Sequence, residues 1–368
     1  RSLIFFDLNI YFGAFFFSNL YYVPLDIFTL VTLIFSFVVP TVIAISLTEM
    51  VKIIAGVVLM MIYLALKKYK TRTIFWVGLI YFVNGGTVSF MNFPAFLTMT
   101  VYLPLALIVI HYFFEKKYFV VPLYVVLIIF YNFYLAYMLL AFISFAFIIE
   151  YFKFNQFKIK SFILNGIGFL GLLLLGVLMS SVVLLPAITF ISEETIRSSV
   201  TFNPWVIDLK FIEFELFDIQ VYIRYFAKLY APQRPVSFRG FLGDYKLEHV
   251  SNYLTIIGLV FMLLIFFMKD KKARVYQIMF GFLLIFTIFP VFSSVFSGTY
   301  LMELLGDGSQ SAYPYNRWLN VMPVLEVLVI AHVIRTYQFK DFKTWQIWAV
   351  GLPVLALGLS INSAQWLA

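Results

Sequence analysis

Apolar runs close to 20 residues long recur from one end of this chain to the other, separated by short clusters of lysine and arginine. One run of that length crosses the roughly 30 Å hydrocarbon core of a bilayer as an α-helix. Every backbone N–H and C=O inside that core needs a protein partner, which leaves helices and closed β-barrels as the spanning structures. A barrel is written in segments of about ten residues with alternating polarity, and no such alternation is present. Charged residues make up 12% of the chain, about half the share of a soluble domain. The fold class is therefore an all-α integral membrane protein, a polytopic helical bundle. Phe (46) and Tyr (24) exceed what interfacial belts need, so many aromatics must pack between helices or line a cavity.

The apolar runs give about ten spans, near 48–67, 73–90, 95–114, 119–133, 134–152, 161–185, 251–268, 275–295, 314–334 and 344–365. With those spans the cations Lys67-Lys68, Lys70, Arg72, Lys116-Lys117, Lys153, Lys158, Lys160, Lys269, Lys271-Lys272, Arg274, Arg335 and Lys343 all fall on one side. By the positive-inside rule that side is the cytoplasm. The net charge of +8 is then a topology signal and a set of contacts for anionic membrane lipid, not a nucleic-acid surface. The organisation expected is a partial first outer loop with membrane-surface helices (1–47), transmembrane helices (48–185), an extracytoplasmic insertion (186–250) and transmembrane helices again (251–368). The chain begins at Arg1 without a signal pattern and ends in an apolar stretch. It reads as a fragment lacking at least one N-terminal helix.

Parity settles the region 119–152. As one helix its 34 residues would run about 51 Å, yet both flanks are basic. It must be a short hairpin whose tip, Tyr131-Asn132-Phe133-Tyr134, dips below the outer surface. Asn84-Gly-Gly-Thr87 likewise interrupts the span 73–90, and two shortened pairs leave room for a cavity open to the outside. The stretch 25–46 either crosses or lies in the outer leaflet, and Pro40 with its short apolar run favours the second. Within 186–250, the spacing of Ile212, Leu216, Ile219, Ile223 and Phe226 predicts an amphipathic helix over 205–230, lying on the outer membrane surface.

Zero cysteines exclude disulfides, thiolate metal sites and cysteine catalysis. His111, His249 and His332 are scattered without the i, i+4 pairing of a helical metal site, so no histidine metal centre is expected. Gly166-Ile-Gly168-Phe-Leu-Gly171 matches the dinucleotide fingerprint literally. No strand precedes it, so close helix packing through small residues is the expectation.

The candidate site lies at the start of the span 314–334. Arg317 sits there at the outer face, beside Tyr313, Tyr315, Asn316 and Trp318, with Pro314 as a rigid helix start. A guanidinium so placed suits a phosphate bidentately; an ordinary snorkelling anchor is the plainer reading. Glu326, about 13 Å further along the helix, is a mid-membrane carboxyl. It is suited to proton relay or substrate contact, or is simply protonated or locally paired. Glu193-Glu194 and Arg197 could hold a sugar, a divalent cation or each other, and solvated charges explain them equally. That cation is the one candidate cofactor. Asp7 and Asp26 are the outer-side carboxylates before the first secure span, where a base for glycosyl transfer would be needed.

Three stretches, Asn132-Phe-Tyr-Leu-Ala-Tyr-Met138, Leu184-Leu-Pro186 and Tyr313-Pro-Tyr-Asn-Arg317, resemble motifs of the bacterial YfhO-like membrane proteins, in the same order. Asp7-Leu-Asn, Phe12-Gly13, Tyr21-Tyr22 and Pro24-Leu-Asp26 are similar to that family's first outer loop. The resemblance implies a GT-C type glycosyltransferase of the bacterial plasma membrane. Such an enzyme takes sugar from a polyprenyl-phosphate carrier to an extracytoplasmic cell-envelope polymer or glycolipid acceptor, for example teichoic acid. On that footing Arg317 with Tyr315 and Asn316 holds the phosphate, Asn132 and Tyr134 line the cavity, Glu193 and Arg197 flank it, and Asp7 is the candidate base. The family's acidic residue, however, lies just after its first helix, and Asp7 aligns with a later position. A lipid-linked saccharide flippase or other transporter, with Glu326 as coupling group, is the alternative. A membrane scaffold is the third.

Overall fold

The computed structural model describes residues 6–7, 14–15, 27–84, 97–154, 159–185, 261–288 and 321–337. Regular structure there is helical apart from one pair of two-residue strands. These are β1 (Phe6–Asp7) and β2 (Ala14–Phe15), antiparallel, with Asp7 opposite Ala14. The longer helices are α1 (Ile27–Ser36), α2 (Thr41–Leu66), α3 (Thr71–Phe82), α4 (Met99–Phe114), α5 (Val120–Tyr131) and α6 (Phe133–Phe154). After them come α7 (Ile159–Met179), α8 (Lys271–Ile288) and α9 (Met322–Tyr337), with a 3-10 turn at Leu264–Phe267 before α8. Among the described residues three helices are long and apolar enough to cross a membrane: α2, the Leu135–Lys153 part of α6, and α7. Most of the other expected spans are shorter apolar helices or lie outside the described residues.

Two compact units divide the chain. The first comprises Arg1–Lys52, Val101–Val206 and Tyr300–Ser311; the second comprises Ile53–Thr100, Ile207–Thr299 and Ala312–Ala368.

In the first unit, α1 has 10 residues, a rise of about 15 Å that cannot cross the bilayer core. Its Ile27, Leu30, Leu33 and Ile34 are exposed. The helical run breaks after Ser36, as Pro40 suggests, and Pro40 then starts the next helix. Its carbonyl accepts from Ala44 N at 3.0 Å, and a proline without an N–H sacrifices nothing at that position. So α2 begins at Thr41, and the expected boundary at 47/48 falls inside it.

Helix α5 packs against both α6 and α7. On α7 the buried residues Phe169, Leu173 and Gly176 follow the i, i+4, i+7 spacing of one helix face. Aromatic rings from α4, α6 and α7 fill the space between helices. Phe147 stacks on Phe169 at 4.7 Å and on Phe114 at 5.5 Å, with Phe113 edge-on to Phe169 at 5.2 Å. The surplus of aromatic residues is thus spent in part on helix packing.

Close packing through Gly166, Gly168 and Gly171 does not occur among the described residues. A Cβ at any of the three would meet nothing within 4 Å. The close approach is made by Gly176, one helical face away. Lys153, expected in a solvated loop, is the second correction. It lies in the last turn of α6, 5% exposed, with Nζ 3.2 Å from Oε1 of the equally buried Glu150.

Two helices end on lysines in the left-handed region, Lys68 (φ 57°) after α2 and Lys116 (φ 65°) after α4. At each, crossed backbone bonds close the helix: Lys68 N to Ala65 O and Tyr69 N to Leu64 O, then Lys116 N to Phe113 O and Lys117 N to Tyr112 O. That pairing is a Schellman cap, whose left-handed residue is usually glycine.

The second unit is built on α9, which packs against α3, α8 and the 3-10 turn. Val324, Leu325, Val327, Leu328, Val329, Ile330, Ala331 and Val333 are all buried, so α9 is enclosed on every side and forms the unit's core. The Gln277 side chain donates to Ile265 O and Met268 O, fixing the 3-10 turn on α8.

Candidate functional site

The break between α5 and α6 is a single residue, Asn132, in extended conformation (φ −166°, ψ 111°). Its backbone N–H closes α5 on Ile128 O at 3.1 Å, and its carbonyl accepts from Ala136 N at 2.9 Å. Its Oδ1 accepts from Leu135 N at 3.1 Å, the N-cap bond that asparagine makes well. Tyr131 beside it is buried, its ring 5.1 Å from that of Tyr102. Tyr124 donates to the carbonyl of Tyr102 at 3.1 Å. The helix break therefore falls at the expected residues, Tyr131 to Tyr134, but the hairpin is uneven. The 12 residues of α5 rise about 18 Å, whereas the 22 of α6 rise about 33 Å and suffice to cross.

In the second unit the helix α3 stops at Phe82, and Asn84 turns back to donate its Nδ2 to Tyr81 O. The buried Tyr81 hydroxyl donates to Thr100 O at 2.7 Å, and Thr100 Oγ1 to Leu97 O at 2.7 Å. Gly56 of α2 admits this arrangement, since a Cβ there would stand 2.5 Å from Thr100 O. Asn84, Thr98 and Thr100 thus place buried polar groups on either side of residues 85–96.

One buried cation escaped the sequence reading. Lys52 lies about 16 Å along α2 from Thr41, is 5% exposed, and has its Nζ 5.6 Å from the centroid of the Phe28 ring. One turn earlier Thr32 donates to Thr48 at 2.8 Å, and Thr48 donates to Ala44 O at 2.8 Å. The signal was available: Glu49 and Lys52 stand three apart in an otherwise apolar run, and ionisable groups at such depth are rare outside functional positions.

Glu326, the carboxyl of α9, is 3% exposed, and its Oε2 has no hydrogen-bond partner among the described residues. His332 stacks on Tyr276 at 4.6 Å with Nε2 3.5 Å from Asp270 Oδ2. Among the described residues no three His, Asp or Glu side chains converge on a point that could hold a metal.

Of the expected site residues, Asp7 is placed by its backbone alone, in β1. Tyr134 is in the first turn of α6, and its side chain is outside the described residues. Tyr315, Asn316, Arg317, Glu193 and Arg197 lie outside them too, as does the amphipathic segment 205–230. Asn132 alone is described in full.

Residues 1–365 match the family described as bacterial membrane protein YfhO. The chain belongs to the YfhO family. That match covers both units. No curated protein and no solved structure matches the chain. YfhO membership and the apolar helices together make it a membrane protein.

Proposed function

We propose that this YfhO-family chain is a GT-C type membrane glycosyltransferase. It moves a sugar from a polyprenyl-phosphate donor to an acceptor on the outer side of the bacterial plasma membrane. The observation that carries the reading is the family match over residues 1–365, which sets the motifs at 132–138 and 313–317 within one family frame. The kinked α5–α6 hairpin and the polar groups flanking 85–96 support it, since both interrupt helices at a depth where backbone needs protein or water partners.

The chemistry is a displacement at the anomeric carbon. A carboxylate, Asp7 being the candidate in this chain, takes the proton of the acceptor hydroxyl. The acceptor oxygen bonds to the anomeric carbon from the face opposite the phosphate. The bond to the phosphate oxygen breaks, the configuration inverts, and polyprenyl phosphate departs with its added negative charge. Arg317, with Tyr315 and Asn316, stabilises that charge. Asn132, Tyr134, Glu193 and Arg197 position the sugar and acceptor. Lys52 is a further cation at membrane depth able to face the carrier phosphate.

The decisive measurement uses membranes containing the full chain, supplied with a polyprenyl-phosphate sugar. Arg317→Ala should lower product formation by about a hundredfold or more, the scale of one lost charge-stabilising donor, with Asp7→Asn equally impaired. Unchanged product formation in both variants refutes sugar transfer through these residues. A second reading, transport of a lipid-linked saccharide, is favoured by Glu326, a buried carboxyl whose Oε2 has no hydrogen-bond partner among the described residues. There, Glu326→Gln would stop lipid translocation, and the full chain would form no sugar-transfer product with or without Arg317.

A further inference from the structure

In the first unit the described carboxylate side chains are Glu49, Glu115 and Glu150. Two of these are committed. Glu115 Oε1 lies 3.2 Å from His111 Nε2 and its Oε2 3.3 Å from Lys117 Nζ, and Glu150 is paired with Lys153. Glu49 of α2 is different: it is part-exposed, and among the described residues no hydrogen bond or ion pair engages it. The charge that acts on it is the buried Lys52, one turn further along the same helix.

The depth of Glu49 follows from the helix that carries it. Helix α2 ends at Leu66, and the charge rule makes the basic loop after it cytoplasmic. Counted back from Leu66 at about 1.5 Å per residue, Lys52 stands about 21 Å and Glu49 about 26 Å away. Against a hydrocarbon core of about 30 Å, the carboxylate is just beneath the outer headgroup level, with the ammonium one turn below it. An ionisable group there is costly unless protein, water or a ligand meets it. The place is also rigid. Thr32 of α1 donates at 2.8 Å to Thr48, the residue before Glu49, and Phe28, one turn earlier on α1, covers Lys52. A carboxylate carried on such a fixed helix keeps its direction better than one on a loop.

We propose that Glu49 binds hydroxyl groups of the sugar on a polyprenyl-phosphate donor, and so helps to set which sugar the protein accepts. The inference rests on the reading that the ligand is such a donor, which transfer and transport share. In that molecule the tail lies in the hydrocarbon core, the phosphate at its boundary and the sugar beyond. The two charges of α2 follow the same order, cation inward and carboxylate outward. A carboxylate only accepts hydrogen bonds, and its two oxygens can take neighbouring hydroxyls together. Such charge-assisted bonds are the stronger kind. A site that relies on them rejects a sugar whose hydroxyl is missing or misplaced. Lys52, though covered by Phe28, adds its attraction for the phosphate through a medium of low dielectric.

The test uses the full-length protein in phosphatidylcholine nanodiscs, titrated with polyprenyl phosphate that is bare or carries glucose, galactose or N-acetylglucosamine. The parent should bind its preferred glycosylated carrier about tenfold or more tightly than the bare one. Glu49→Gln should bind that glycosylated carrier about ten- to a hundredfold more weakly, the scale of hydrogen bonds to a charged group. Its binding of the bare carrier should match the parent's. Glu49→Asp should keep part of the preference, and Glu115→Gln all of it. A parental preference retained in Glu49→Gln overturns the assignment and leaves the donor reading standing. Equal weakening for bare and glycosylated carriers overturns it too, as a structural effect. A parent that prefers no glycosylated carrier overturns the donor reading itself, and this inference with it.

Discussion

Val125 occupies the space that any side chain at position 176 would need. A Cβ on Gly176 would lie 2.5 Å from Val125 Cβ and 2.9 Å from the carbonyl of Pro122. Neither obstacle is the tip of a flexible side chain, so the two helices would have to separate. Gly176→Ala should destabilise the protein by about 1–3 kcal/mol, the usual range for overpacking. Gly168→Ala on the open face of the same helix should be neutral or stabilise by up to about 1 kcal/mol. Thermal unfolding of the two purified variants in one detergent decides it. A common direction of change would contradict the packing.

The buried pair Glu150–Lys153 gives a second test. Glu150→Gln leaves a lysine charge buried without its carboxylate, and should cost about 3–5 kcal/mol. Glu150→Leu combined with Lys153→Leu removes both charges and should be close to neutral. A double-mutant cycle read by unfolding checks this, and additive losses would show that the pair is not coupled.

Asn132 separates a structural role from a substrate role. Asn132→Ala removes the cap of α6 and should cost about 1 kcal/mol, whereas Asn132→Ser keeps a capping oxygen and should unfold as the parent does. Sugar transfer measured in the serine variant then isolates the amide. Activity retained at the parental level confines Asn132 to the cap, and a tenfold loss or more at parental stability makes it a ligand to sugar or carrier.

Tyr81→Phe deletes one buried hydroxyl, leaving Thr100 O without its donor from α3. The expected loss is about 1 kcal/mol. No change in unfolding midpoint would mean that the carbonyl finds water, as a lined cavity at this depth would permit.

The absence of cysteine makes sidedness directly measurable. Single cysteines at Lys70 and Lys272 should react with an impermeant maleimide only in inside-out vesicles, and one at Arg317 only in intact cells. Cytoplasmic labelling of position 317 would remove the extracytoplasmic site altogether.

Features that depend on local chain chemistry were legible before any coordinates. The helix stop before Asn84 and a break within Tyr131 to Tyr134 follow from turn-forming residues and helix length. Features decided by a neighbouring helix were not. Gly166, Gly168, Gly171 and Gly176 are alike in sequence, and only the position of Val125 selects the last. Lys153 reads as a loop cation until Glu150 is seen folded against it, and Lys52 as an incidental charge until Phe28 covers it. Arg317 and the acidic pair at 193–194 rest on sequence and family membership alone.

The left-handed lysines closing α2 and α4 have a consequence for engineering. Glycine at position 68 or 116 would relax the backbone by about 1 kcal/mol, and would in the same stroke delete a charge of the kind that the positive-inside rule counts. Where one residue ends a helix and also carries a loop charge, backbone strain and charge cannot be adjusted separately there. A thermostabilising screen that selects glycine at these two positions would therefore also thin the charge of both loops, leaving Lys67, Lys70 and Arg72 in one and Lys117 in the other.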